Sequence, residues 1–360
     1  MFYFRIVAVA ALVFLFPFSS VRAQEQQEKW FEQNRPPVEK ESKLIRADEY
    51  ASEILAKEKG SFVKAKPWKQ WSVSGKFGYE YDDNVRLAPN QKAFRPASED
   101  ISAGRYQFQT KLSYDFYRNS RYRAGISYSL WQSFHDDDLD QYNFQNHAVS
   151  IYGRRLLKTW DRPSEISLRY TFSRGFLKWG PFSISHSWDI SWMGEWRENW
   201  VLTVYERLGV KNFHNEGFDP ALTSRDGFYH ETGFVQSYFF DHHRRRIDLG
   251  YEFAFDATRG NNFDQIANGA RVGFKTPLIK KWEFETDFHF QDGDYPHFVG
   301  VRKRHDLRYE YEFYLSRPLG PHWKLIGFYK HTQVNTLHKG VLGVFNYNRN
   351  IYGVEMAFNY

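Results

Sequence analysis

From Gln70 onward, apolar and polar residues alternate along the chain. Trp71, Val73, Phe77, Tyr79 and Tyr81 interleave with Ser72, Ser74, Lys76 and Glu80. Tyr106, Phe108, Leu112, Tyr114 and Phe116 interleave with Arg105, Gln107, Gln109, Lys111 and Asp115. The same period runs through 121–134, 166–172, 184–192, 247–255, 282–290 and 307–315. A period of two places successive side chains on opposite faces of a strand. Segments 143–157, 199–213 and 227–241 mix parity, yet carry β-branched and aromatic residues between turn signals and are also read as strands. The pattern predicts fourteen strands near 70–82, 103–118, 121–134, 143–157, 165–177, 183–197, 199–213, 227–241, 245–258, 266–277, 281–292, 304–316, 322–334 and 346–360.

The connections alternate in length. Asn119-Ser120, Glu198, His242–Arg244, Leu278–Lys280 and Pro318–Pro321 are tight, and 158–164 is somewhat longer. The gaps 83–102, 214–226, 293–303 and 335–345 are long. Trp71, Trp160, Trp196, Trp200, Trp282 and Trp323 all sit beside the short connections. Short periplasmic turns, long external loops and an aromatic girdle on one rim are the marks of an outer-membrane barrel. The last strand completes the pattern. Val354, Met356 and Phe358 share one parity and are assigned to lipid, the terminal aromatic Tyr360 to the membrane interface, and Glu355 and Asn359 to the lumen. The expected fold is all-β: a fourteen-stranded antiparallel transmembrane barrel, integral to the bacterial outer membrane.

Composition then removes an apparent conflict. Mean hydropathy is −0.67, which suits a soluble protein, yet aromatics make up 19% of the chain. A barrel wall reconciles the two, because only alternate residues meet lipid. With no cysteine, the chain holds neither a disulfide nor a lipid-anchored thiol. Net charge is +6, part of it in loops, and does not argue for nucleic acid. The N-terminus reads differently. Arg5 is the only charge before Arg22, Ile6–Phe16 is apolar, and Val21-Arg22-Ala23 suits cleavage, so 1–23 is expected to be a signal peptide. Residues 24–69 read as a periplasmic linker around Pro36-Pro37, with a short helix near 47–59 whose Tyr50, Ile54 and Leu55 form one stripe. That helix is either a tail element, or a plug or dock for a periplasmic partner. The barrel is expected over 70–360.

Strand parity turns two sets of charges inward. Arg105, Lys111, Arg121, Arg123 and Arg169 form a basic arc. Asp248, Glu252, Asp256, Glu283, Glu285, Asp287, Glu310 and Glu312 form an acidic arc on the far side of the ring. Either the arcs set a transverse field across a watery pore, or Arg271, Lys275 and Arg308 pair with the acids locally. Catalytic chemistry is not signalled. The 13 histidines, among them His135, His214, His230, His297, His305 and His338, show no recognisable Ser/His or Asp/His spacing. The run His135-Asp136-Asp137-Asp138-Leu139-Asp140 lacks the glycine and closing glutamate of a calcium loop and is read as a solvated acidic loop. No enzyme activity, cofactor or metal is expected.

Two segments resemble a known family. Tyr81-Asp82-Asp83-Asn84-Val85, followed by Leu87-Ala88-Pro89, and Asn346-Tyr347-Asn348-Arg349-Asn350-Ile351 are similar to the barrel domain of the surface lipoprotein assembly modulator family and related barrels. The resemblance spans about 70–360 and implies a fourteen-stranded barrel that delivers proteins to the cell surface. The chain departs from the family in having about 45 residues where the family carries tetratricopeptide repeats. The second reading of Asp82, Asp83 and Asn84 is architectural: they order the first external loop. The leading functional expectation is a channel that passes small polar solutes or exports a polymer through a charged lumen. The alternatives are an assembly or translocation factor for surface proteins, and a structural barrel whose lumen is filled by Trp131, Phe328 and Tyr314. Expected partners are outer-membrane lipid and lipopolysaccharide, and the barrel-assembly machinery during biogenesis.

Overall fold

The computed structural model describes residues 70–85, 102–214, 221, 224–299, 303–336 and 346–360. The expected signal peptide, linker and helix near 47–59 lie outside the described residues. The strands are β1 (Trp71–Asp82), β2 (Ala103–Arg118), β3 (Tyr122–His135), β4 (Phe144–Thr159), β5 (Arg162–Leu177), β6 (Gly180–Arg197), β7 (Trp200–Phe213), β8 (Gly227–Phe240), β9 (Arg245–Thr258), β10 (Gln265–Pro277), β11 (Glu283–Tyr295), β12 (Arg304–Pro318), β13 (Trp323–Thr336) and β14 (Tyr347–Asn359). Each pairs with its sequence neighbours, and β1 pairs antiparallel with β14 to close the barrel. The fourteen strands expected from the alternation are therefore all present.

Dimensions follow from strand geometry. Strands of 12 to 18 residues rise about 3.3 Å per residue and tilt by about 35–45°, so even the shortest clears an apolar band about 25 Å tall. Fourteen strands spaced about 4.8 Å apart enclose a backbone cylinder roughly 28 Å across. Phe77, Tyr79, Phe108, Ile126, Leu168, Ile190, Leu249, Val354 and Met356 project outward, exposed. Among the described residues nothing covers that apolar belt, and lipid is the solvent that suits it. Among the described residues no helix is long and apolar enough to cross a membrane. The protein is an integral outer-membrane β-barrel. Trp71, Trp160, Trp196 and Trp323 are exposed on the rim formed by the short turns, as expected.

Two connections are tighter than the residue pattern suggests. β4 and β5 are joined by Trp160-Asp161, and β5 and β6 by Lys178-Trp179 on the external side. All four residues have positive φ, between 45° and 66°. Such two-residue turns match the twist of paired strands and usually use Asn or Gly. Trp, Asp and Lys gave no such signal, so the strands were expected to stop short of these turns.

Closure of the ring is fixed by side chains as well as by the ladder. The register sets Tyr81 opposite Tyr352 and Asp82 opposite Ile351. Just beyond, the two resembling segments meet. Arg349 Nε donates to both carboxylate oxygens of Asp82 at 3.0 Å, and both side chains are almost wholly buried. Asp83 accepts from the backbone N–H and the side-chain amide of Asn350, each at 2.6 Å. The Asn84 side chain donates to the Asn348 carbonyl at 2.9 Å, and its backbone N–H to Asp82 at 3.0 Å. At the opposite end, Tyr360 and Val73 exchange backbone hydrogen bonds of 2.8 and 3.1 Å. Asp82 and Arg349 form a buried pair, so removing one partner strands a charge. Asp82→Ala and Arg349→Ala are each expected to destabilise the barrel by about 3–5 kcal/mol. The double variant should lose clearly less than the sum, read by heat-dependent unfolding on gels in a double-mutant cycle. Additive losses would remove the pair from the account of closure.

Candidate functional site: the charged lumen

The inward faces carry most of the charge, and nearly every charge meets an opposite one on a nearby strand. On the acidic side, Arg246 Nε donates to Asp248 at 2.8 Å, and Arg271 Nε to Asp287 at 2.7 Å. Lys275 Nζ lies 3.2 Å from Glu283, and Arg308 Nη2 donates to Glu310 at 2.5 Å. Lys211 reaches Asp256 at 2.9 Å, and Tyr314 donates to Glu312 at 2.8 Å. Glu285 is more loosely held, 3.8 Å from Arg246. His289 is clamped between Glu252 at 3.0 Å and Glu310 at 3.3 Å, and Tyr205 donates to the same Glu252 at 3.3 Å. The inward acids of β8–β12 thus form a connected wall, laced by Arg246, Arg271, Lys275 and Arg308. They outnumber those cations, which leaves this sector net acidic.

The basic arc is paired as well. Arg105 is buried against Glu80, which also accepts from Gln107. Arg123 Nε donates to Asp115 at 2.8 Å, and Tyr152 donates to the same carboxylate at 2.6 Å. Arg169 lies over the Tyr152 ring at 5.9 Å. Lys111 is opposite Ser74 and Ser129 on the inward face. Arg121 is a correction: it lies in the exposed β2–β3 turn, because Asn119 accepts from the backbone N–H groups of Arg121 and Tyr122 and β3 begins only at Tyr122. A field between two bare arcs is also corrected. Arg271, Lys275 and Arg308 pair with the acids locally, which is the alternative the pattern left open. On the seam, Glu355 projects inward toward Lys76 at 3.7 Å and Gln107 at 3.2 Å. Asp82, Asp83 and Asn84 are spent on closure.

Sequence reasoning missed the external end of the lumen. There a run of inward positions is apolar, beside the buried Asp82–Arg349 pair. Trp131, Phe144, Phe182, Leu177, Val334 and Tyr347 form one buried cluster, with Phe213 packed against it. Leu139 and Tyr142, from a 3-10 turn at Asp137–Tyr142, fold onto it. The acidic loop is therefore split. Asp140 meets Lys178 at 3.1 Å, while Leu139 is only 5% exposed. Phe182 reaches the cluster because the β5–β6 register slips beside Gly175 and Phe176, and such bulges re-aim a side chain. Lower in the wall, Phe328 and Tyr314 face the lumen as a pair 6.3 Å apart, with Lys330 Nζ over both rings. Among the described residues no group of three or more His, Asp or Glu side chains is arranged to hold a metal ion.

No family model and no curated protein matches the chain. Several solved barrels are similar at low identity. The outer membrane protein Omp33 of Acinetobacter baumannii is 12% identical, with 81% of this chain and 98% of that chain covered and a TM-score of 0.36. OmpT of Vibrio cholerae is 6% identical, covering 81% and 99%, with a TM-score of 0.47. OpdK of Pseudomonas aeruginosa, solved with vanillate, is 8% identical, covering 81% and 98%, with a TM-score of 0.39. The fold assignment here stands on the closed strand pairing.

Phe144, 1% exposed at the centre of the apolar cluster, gives a direct check of its packing. Phe144→Ala is expected to cost about 3–5 kcal/mol of barrel stability, measured by thermal unfolding in detergent. A loss below about 1 kcal/mol would mean that the cluster is not packed as described.

Proposed function

We propose that the chain is an outer-membrane channel for small polar solutes that favours cations. The observation that carries this reading is the inward wall of β8–β12, where acids outnumber their cationic partners. A barrel of fourteen strands lies between eight-stranded barrels filled by their own side chains and sixteen-stranded porins with an aqueous channel, so its interior side chains decide what passes. Charged and hydrogen-bonded side chains on the wall favour a hydrated path beside them. The apolar cluster covers the external ends of β2–β7 and β13–β14, which directs that path along the acidic sector. It also favours small solutes over a folded or bulky polymer. This reading assigns no catalytic role.

A second reading, a structural barrel with a blocked lumen, is favoured by Trp131 and Phe328, which are 3% and 7% exposed. The two readings separate in planar bilayers. The purified full chain is expected to give single-channel steps and a cation-selective reversal potential in a potassium chloride gradient. Glu283→Gln with Glu285→Gln should move that potential toward the non-selective value, because Lys275 and Lys324 then lose their acid. If the native chain gives no steps, while Trp131→Ala with Leu139→Ala opens conductance, the blocked-lumen reading holds. Anion selectivity, or no steps in either protein, would contradict the proposed channel.

A further inference from the structure

Among the described residues, the apolar band of the lipid-facing wall is interrupted by one carboxylate. Glu206 of β7 shares its parity with Val204 and Val210, which are exposed outward at 43% and 42%. Its own side chain is 48% exposed. By strand rise and tilt, Glu206 stands roughly 15 Å above Trp200 of the periplasmic girdle, well inside an apolar band about 25 Å tall. Among the described outward positions of that band it is the one carboxylate. The neighbouring imidazole is His230 of β8, whose Nε2 lies 3.3 Å from Glu206 Oε1 but off hydrogen-bonding alignment. Below it on the same face, Thr232 pairs in register with Glu206, and Gln236 accepts from the Trp196 indole at 2.8 Å. Outward polar groups elsewhere include neutral pairs such as Tyr128 with His147 and Tyr170 with His186. A glutamate is too short to lift its charge from mid-belt to the headgroups, and ionised groups facing lipid are costly.

We propose that the β7–β8 face is not lipid-covered but is the contact between two copies of this chain. All copies of an outer-membrane barrel insert in the same direction. A closed dimer therefore has its two-fold axis parallel to the barrel axis. That operation keeps height and sets β7 of one copy against β8 of the other. Glu206 then faces the partner subunit's His230, and His230 faces the partner subunit's Glu206. One acid and one base on adjacent strands at nearly one height are complementary to themselves under this symmetry. Val204, Leu208, Phe228 and Phe234 surround the pair with apolar contact surface, the polar-centre, dry-rim arrangement that shields a charge pair from lipid.

Because the chain has no cysteine, the contact can be read by single cysteines. Val204 and Phe234 are register partners, so the two-fold brings Val204 of one copy to the partner subunit's Phe234. Chains carrying Val204→Cys and chains carrying Phe234→Cys, mixed in lipid vesicles and oxidised, are expected to give a disulfide-linked dimer. Introducing Glu206→Leu into both should weaken dimerisation by on the order of tenfold or more, with unchanged strand content by circular dichroism. A mixture of Leu325→Cys and Met356→Cys chains, register partners on the β13–β14 wall, serves as the control face. Cross-linking no greater than this control, or a dimer insensitive to Glu206→Leu, would overturn the proposal. Dominant species larger than a dimer by mass would overturn the two-fold arrangement.

Discussion

A barrel exists only if its first and last strands find each other, and everything else in this molecule depends on that closure. An open sheet in lipid would leave a full edge of N–H and C=O groups unpaired, each at a cost of several kcal/mol. Here the edges belong to residues at opposite ends of the described chain, so loop entropy opposes their meeting. The Asp82–Arg349 pair, the Asp83–Asn350 double hydrogen bond and the Asn84–Asn348 contact lie together at the external end of the seam. They specify register by geometry that a one-residue slip would break, since a slip moves each side chain to the other face. The two segments that resemble a protein-delivery family thus have a complete architectural role in this chain.

Closure also creates the second solvent of the structure. The inner faces of the strands carry acids and bases at a density that no lipid-facing wall could hold. They are stabilised because partners lie one or two strands away: Asp115 with Arg123 and Tyr152, Glu252 with His289 and Tyr205, Asp287 with Arg271. Local neutralisation limits any field across the bore. What remains is the excess of acids on β8–β12 and the apolar cluster at the external mouth. Those two features, rather than opposing charged arcs, shape what the lumen can favour.

Much of this was legible in the residues. Alternation along strands such as 103–118 and 245–258 follows from the contrast between lipid and lumen. The outward parity of Val354 and Met356 came from the same rule. Placing Trp71, Trp160 and Trp323 on one rim needed only the short connections beside them. What was illegible has physical causes. The turns at Trp160-Asp161 and Lys178-Trp179 use residues that do not advertise positive φ. Segments 143–157, 199–213 and 227–241 looked ambiguous because they break the polarity rule itself. Phe144 and Tyr152 face inward, while Glu206, His230 and Gln236 face outward. Phe182 entered the lumen only through a slip in register. In a barrel, the positions that violate alternation are those where the wall meets something other than plain lipid or water.

The central claim is a closed wall with a watery interior, and a cysteine scan along β14 tests it most directly. Single cysteines from Tyr352 to Phe358, introduced into a chain that has none, would be treated with a charged maleimide in lipid vesicles. The account predicts labelling with period two: Glu355 and Ala357 positions react, and Tyr352, Val354, Met356 and Phe358 positions are protected, Gly353 being left unchanged because a Cβ there meets the Tyr79 carbonyl at 2.5 Å. Uniform reactivity along the strand, or protection of the inward positions as well, would contradict it.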